Sequence, residues 1–418
     1  MNILYEDGDA MRCQKEASGS MGFVECFQIL CYPRPSQASD EHEITRPVKR
    51  AVLTEYEECE KPPQYHGSST RKREMLFMGL KQFIMIYCTL IFIVSYFFHG
   101  WFVLLSSPLH YTGSNLPDLS GKFAVITGAN TGIGKFTALL LIRNGCHVVI
   151  TSRSKVRGLT AIREIKSHFK KQDLSELNEN DLMSLEVLDL QNLKDVSSFS
   201  KRIMMKYKKN LDFLILNAGI MMTPFSLSSD GFESQFATNY VGHFLVVRKW
   251  MDWIRKSGTR VVSISSGAHY MTYSKGIDFK RVTSDLKYDP LSAYGQSKLA
   301  NILFSKELAE KLEGSNATSN VIHPGMVQSE LGRHIEKSFT IPMAIVALPI
   351  LAIFELAKMS TVMGSLTQVI VATSPQFEGL NGKLFYPVAI ETKGSKFAND
   401  KDLQRKLWRN SEKWVSNF

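Results

Sequence analysis

Tyr294 and Lys298 stand four residues apart in Tyr294-Gly-Gln-Ser-Lys298, and of the 14 tyrosines only this one is followed by lysine at that spacing. On a helix, positions i and i+4 share a face, so an ammonium lies beside a phenol and favours its ionised form. A free phenol, with a pKa of about 10, is a poor acid–base at neutral pH, and the pairing corrects it in the required direction. A second patterned segment is Thr127-Gly-Ala-Asn-Thr-Gly-Ile-Gly134, whose glycines follow the spacing Gly-xxx-Gly-x-Gly. Such a turn lets the backbone approach a pyrophosphate, and a helix starting there offers free N–H groups and a positive dipole end. A third is Ile150-Thr-Ser-Arg153-Ser-Lys155, which has no carboxylate where an acid would hold a ribose 2′-hydroxyl. The Arg153 guanidinium can pair bidentately with a 2′-phosphate instead, although Arg153, Lys155 and Lys135 also suit a solvated surface. Together these residues suit proton transfer at an oxygen beside a bound, 2′-phosphorylated dinucleotide.

Such chemistry needs a scaffold that brings strand ends together. Phe123–Ile126, His147–Ile150, Leu185–Leu188, Leu211–Leu216, Val261–Ile264 and Ser319–Ile322 are short strand-like runs separated by helix-length stretches, the first helix running from Phe136 to Arg143. This alternation predicts an α/β fold with a doubly wound parallel sheet of Rossmann type, covered by helices on both faces. A chain of 418 residues with 44% hydrophobic content can bury one such domain and carry extra segments.

Residues 1–74 mix Gly, Pro, Ser, Glu and Cys without periodicity and read as a poorly ordered extension. Cys13, Cys26, Cys31 and Cys59, with His42 and His66, lack the close CxxC pairs of structural zinc sites, so no metal site is assigned. Residues 83–105 carry no formal charge and are long enough to cross a bilayer, which predicts a transmembrane anchor. A buried core helix or a cleaved signal peptide is the bland alternative. The excess of 50 Lys+Arg over 40 Asp+Glu is densest at Arg71-Lys72-Arg73, beside this stretch, and suits a membrane flank better than nucleic acid. Cys146 is alone in the domain expected over residues 119–417, which therefore has no disulfide framework.

The glycine spacing, followed in order by the other motifs, resembles the short-chain dehydrogenase/reductase family. The resemblance implies an enzyme that interconverts an alcohol and an aldehyde or ketone, with NADP(H) as cofactor. It implies cofactor contacts from Gly128, Asn130, Thr131, Gly132, Ile133 and Gly134, from Asp189 against the adenine, and from Asn217-Ala218-Gly219, where the commoner form doubles the Asn but Leu216 stands first. Tyr294 and Lys298 would touch the cofactor too, as would Pro324, Gly325, Val327 and Ser329, the last standing where Thr is commoner. It further implies a catalytic tetrad. Tyr294 is the acid–base, Lys298 its partner, Ser266 the serine that hydrogen-bonds the substrate oxygen, and Asn239 the holder of a water that relays protons to Lys298. Ser265 is the decoy beside Ser266.

The finer match is to the retinol dehydrogenase and WW-domain oxidoreductase type, carried by Gly128–Gly134, Asn217-Ala-Gly-Ile-Met-Met222, Ser265-Ser-Gly-Ala-His269, Ser297-Lys-Leu-Ala-Asn301 and Lys406-Leu-Trp-Arg-Asn-Ser-Glu412. Ala268-His-Tyr270 and Tyr288–Tyr294 are also similar to dehydrogenase/reductase member X. These branches imply a lipophilic retinoid, steroid or polyprenoid substrate, an endoplasmic reticulum membrane and the possibility of a homodimer. The uncharged run Phe339–Phe354 then reads as a substrate lid dipping into lipid, with a buried helix or a second span as alternatives. Arg71, Lys72, Arg73 and Lys81 on one side of the span place the catalytic domain in the lumen, against the cytosolic orientation common for similar reductases. Asn316-Ala-Thr318 is an N-glycosylation acceptor that reports on the choice. A protein of this fold can also serve as a weakly active NADP(H)-binding scaffold, against which the intact tetrad argues.

Overall fold

The structure, a computed structural model, describes residues 116–169, 182–327 and 360–418. The expectations for residues 1–74, the span 83–105, the lid 339–354 and Ser329 lie outside the described residues. Among the described residues no helix is long and apolar enough to cross a membrane.

The alternating runs form a single sheet in the order β3-β2-β1-β4-β5-β6-β7-β8. Its strands are β1 (Phe123–Ile126), β2 (His147–Ser152), β3 (Met183–Val187), β4 (Phe213–Leu216), β5 (Arg260–Ile264), β6 (Thr318–Ile322), β7 (Leu384–Tyr386) and β8 (Ile390–Thr392). Every pairing is parallel except the last, β7 with β8. The central strands are continuous apolar runs because both their faces are covered. One face packs under helices α1 (Gly132–Arg143), α2 (Lys155–Lys166) and α6 (Thr361–Thr373), with Ile126, Ile150 and Val369 in the core between them. On the other face lie α3 (Leu193–Lys206), α4 (Gly242–Ser257), α5 (Pro290–Lys311) and α7 (Lys401–Trp414). The order reverses between β1 and β4, so the carboxyl ends of these two strands border the crevice where such sheets bind ligands.

Strands β5 and β6 each start one residue earlier than the sequence expectation, at Arg260 and Thr318, β3 ends one residue earlier, at Val187, and four other boundaries also differ. Strand β2 runs on to Ser152 because Thr151 and Ser152 pair with Glu186 and Val187 of β3. Strand β3 starts earlier than Leu185, at Met183, which pairs with Val148. Strand β4 starts only at Phe213, because the Asp212 carboxylate accepts the Phe123 N–H at 2.9 Å, a side chain standing in for the ladder. Helix α1 starts at Gly132 rather than Phe136, so the last two glycines of the turn belong to its first turn.

The C-terminal helix closes the second face. Trp408 stacks on Phe304 of α5 with centroids 6.0 Å apart and meets Phe244 of α4 edge-on at 5.0 Å. The Tyr240 hydroxyl and Ser411 Oγ hydrogen-bond at 2.6 Å.

Candidate active site

The glycine turn leaves β1 and is held by β2. Gly128 N–H donates to Thr151 Oγ1 at 3.1 Å, and Ala129 N–H to the Thr151 carbonyl at 3.1 Å. Gly128 has φ +64°, and a Cβ there would stand 2.8 Å from the Ala218 backbone. At Gly134 a Cβ would overlap the Asn217 amide. Glycine at both positions lets the end of β4 lie against the turn. The N-cap of α1 is Thr131, whose side chain makes no capping bond, so the first amides of the helix stay open. Asn217 Nδ2 donates to the Thr127 and Gly128 carbonyls at 2.8 and 3.3 Å, while its buried Oδ1 has no partner.

These features fit a dinucleotide: a turn without side chains, uncapped helix donors and an acceptor awaiting a donor. Asn130, Thr131 and Ile133 lie half-buried along the turn. Arg153 is exposed, directly after β2, with no acidic partner among the described residues. Lys135 is paired with Glu164, which reduces its part in any phosphate contact. Asp189 lies two residues past β3, where its Oδ1 accepts Gln191 N–H at 3.0 Å and its own N–H bonds Asp195. Pro324, Gly325 and Val327 follow β6, with Val327 packed at Gly364 of α6.

On the other side of β4, Tyr294 and Lys298 occupy one face of α5, and each is only 3% exposed. The Lys298 ammonium sits 5.7 Å from the Tyr294 ring centroid and donates to the Ile264 carbonyl at 3.0 Å. Asn301 Nδ2 shares that carbonyl at 2.9 Å. Burial pulls Lys298 down to about 7 and pushes Tyr294 up to about 12, the latter opposed by the hydrogen-bonded Ser266 side chain. The phenol therefore moves opposite to the expectation from ion pairing, because loss of water outweighs the Ser266 hydrogen bond that lowers it. A neutral phenol is the form that can give a proton away.

Ser265 and Ser266 separate cleanly. Ser265 is buried and its hydroxyl donates to the Lys298 carbonyl at 2.8 Å, fastening β5 to α5. Ser266 is half-buried, reaches Tyr294 and accepts Ala268 N–H at 3.2 Å. Asn239, wholly buried in the π-helical segment Ala237–Val241, accepts Ile220 N–H at 2.8 Å through Oδ1. Its Nδ2 donates to the Ile220 carbonyl at 3.0 Å and to Ser297 Oγ at 2.8 Å. Ser297 in turn donates to the Tyr294 carbonyl at 2.7 Å.

Asn217, Ala218 and Gly219 join the two sides. The first two touch the turn, and a Cβ on Gly219 would lie 3.3 Å from Asn239 Oδ1 and 3.4 Å from Lys298 Nζ. The missing side chain leaves an opening between those two polar groups. Sequence reasoning passed over Ser297, Asn301 and His243, although all three lie inside quoted motifs. His243 stands four residues after Asn239, the same spacing that singled out Tyr294 and Lys298, and His269 donates from beneath Ser266, its Nδ1 2.7 Å from that carbonyl.

Residues 122–280 match the family model described as short chain dehydrogenase, a span that includes the glycine turn, Asn239 and Ser266 and ends before Tyr294. Over 306 residues the chain is 37% identical to retinol dehydrogenase 14 of Homo sapiens, covering 71% of this chain and 87% of that one. It is also 37% identical over 303 residues to the chloroplastic short-chain dehydrogenase TIC 32 B of Brassica napus, covering 71% and 89%. Among solved structures, an uncharacterized protein from Mycobacterium Paratuberculosis superposes with a TM-score of 0.55 at 29% identity, covering 73% of this chain and 97% of that one.

Proposed function

The chain belongs to the short-chain dehydrogenase/reductase family and is retinol dehydrogenase-like, and from that premise we propose an NADP(H)-dependent oxidoreductase that interconverts an alcohol and a carbonyl on a lipophilic substrate. The observation that carries the reading is the contact of Asn217-Ala218-Gly219 with the glycine turn on one side and with Asn239 and Lys298 on the other. It supports a cofactor laid from the turn toward Tyr294.

Bound NADPH supplies the hydride for the carbonyl carbon. The protein's own residues manage the oxygen. Ser266 and Tyr294 hydrogen-bond it, and the Tyr294 phenol, whose pKa burial pushes up to about 12, gives its proton as negative charge develops there. Lys298 stabilises the resulting phenolate. The opening at Gly219 suits a water between Lys298 Nζ and Asn239 Oδ1, through which the proton is replaced. Gly128, Asn130, Thr131, Gly132, Ile133 and Gly134 hold the pyrophosphate, Asp189 the adenine end, and Pro324, Gly325, Val327 and Ser329 the nicotinamide end. The Arg153 guanidinium recognises the 2′-phosphate, where an acidic side chain would repel it.

The test is cofactor consumption by the purified full chain with retinal, a steroid ketone and a polyprenal, NADPH against NADH. Turnover with NADPH on one of these is expected; NADPH binding without turnover on any would leave a scaffold, and a preference for NADH would remove the role of Arg153. Residues 83–105 anchor the chain in a membrane, with the catalytic domain, residues 119–417, on the lumenal side of the flanking charges. Protease protection of that domain in sealed microsomes is the expected result. Digestion without detergent would reverse the orientation.

A further inference from the structure

His243 is 2% exposed and reaches both sides of the site. Its Nδ1 lies 3.1 Å from the Asn239 carbonyl oxygen and its Nε2 2.8 Å from Thr127 Oγ1, at the start of the glycine turn. Its tautomer follows from its partners. The Thr127 hydroxyl accepts the N–H groups of Asn217 and Ala218 at 2.9 and 3.0 Å, which fills its lone pairs, so its own proton has to be donated. The choice is His243 Nε2 at 2.8 Å or the Ile215 carbonyl at 3.5 Å, a distance at the limit of hydrogen bonding. Nε2 therefore accepts, and Nδ1 carries the ring proton and donates it to Asn239. An imidazolium has no acceptor nitrogen and could not make this bridge. Burial, helped by the charge of Lys298, pulls His243 down to about 4 and keeps it neutral.

The backbone around Asn239 explains why a side chain is used. The segment Ala237–Val241 is π-helical, and Gly242 N–H bonds back to the Ala237 carbonyl. The imidazole adds a donor to a carbonyl within this shifted pattern. One ring thus ties the end of β1, with the backbone of Asn217 and Ala218, to the backbone of Asn239.

We propose that His243 is a positioning residue, a neutral Nδ1–H imidazole that holds the glycine turn and the Asn239 backbone in one register. The proposal rests on the reading of Asn239, Tyr294 and Lys298 as the reacting group.

Two substitutions separate its ends. Asparagine keeps a donor for the carbonyl four residues back, as Asn144 and Asn410 already do in this chain at 2.8 Å, but is too short for Thr127. Glutamine reaches toward Thr127 and gives up the Nδ1 donor. With the full chain in detergent, His243→Asn should raise the NADPH Kd about tenfold while kcat for the panel carbonyl that the unsubstituted protein reduces stays within about threefold, and His243→Gln should show the reverse pattern. The same loss in both parameters for both variants, or no loss in either, overturns the proposal. If neither variant folds, 15N NMR of the unsubstituted protein decides, since the Nδ1–H form is required and the Nε2–H form excludes it. If the unsubstituted protein binds NADPH but reduces none of retinal, the steroid ketone and the polyprenal, the proposed function fails, and the NADPH Kd values and the NMR tautomer still judge the bridge.

Discussion

Around the glycine turn the chain withdraws side chains and leaves polar groups open, whereas around Tyr294 it buries polar groups and satisfies them. In the first region the α1 cap makes no side-chain bond and Asn217 Oδ1 has no partner. In the second, Asn239 makes three side-chain hydrogen bonds, and Ser265, Ser297 and Lys298 each have a backbone acceptor. The first region reserves its bonding for something outside the chain, and the second spends it on holding geometry. Open donors give binding, and a satisfied network gives a fixed arrangement for proton transfer.

The contrast is sharpest at Tyr294. Tyr294→Phe should reduce turnover by at least about a thousandfold with NADPH binding unchanged, because it removes the transferred proton and leaves the turn intact. Ser266→Ala should follow it closely. Ser265→Ala should instead lower stability by about 1 kcal/mol through its lost bond to Lys298, with a small effect on rate. Steady-state rates and thermal melts on the three variants decide, and an inactive Ser265→Ala with normal stability would break the division.

Changes on the open side should act on affinity. Gly134→Ala sets a methyl against the Asn217 amide and should weaken NADPH about 10- to 100-fold. Arg153→Asp should weaken NADPH by a similar factor of about 10- to 100-fold and leave NADH nearly unchanged, measured as the ratio of kcat/KM for the two cofactors. Equal losses for both cofactors in Arg153→Asp would remove the 2′-phosphate contact.

Acid acts on stability rather than on affinity or rate. Burial lowers His243 and His269 to about 4 and His323 to about 3, against an ordinary value of 6.5. Between those values the unfolded chain binds more protons than the folded one. The stability from keeping these rings neutral is therefore present above pH 6.5 and lost as pH falls toward 4, by up to about 1.4 kcal/mol per pH unit for each histidine. Denaturant melts from pH 7 to pH 5 should show it. A slope unchanged in His269→Gln would count against its share.

How much of this was legible in the sequence depended on whether a signal was local. The doubly wound order followed from alternating runs such as His147–Ile150 and Val261–Ile264, since fully covered parallel strands need continuous apolar stretches. Strands β7 and β8, three residues each, were too short to carry a period, and the start of β4 depended on Asp212 substituting for a backbone group. Tyr294 with Lys298 was readable because i and i+4 share a helical face. The separation of Ser265 from Ser266 rested on the resemblance alone, and its physical basis, the bond from Ser265 to the Lys298 carbonyl, spans 33 residues of sequence. The tautomer of His243 needed the filled lone pairs of Thr127, which no spacing announces.

The packing of α7 has a consequence for biosynthesis. Tyr240 and Phe244, in the helical stretch that carries Asn239, are covered by Ser411 and Trp408 of α7. During synthesis the glycine turn and its strands emerge first and have their local partners at hand. The apolar side of α4 and α5 stays uncovered until α7 has emerged, so a nascent chain or one truncated before α7 exposes a ridge of aromatic rings that chaperones and quality-control proteases can recognise.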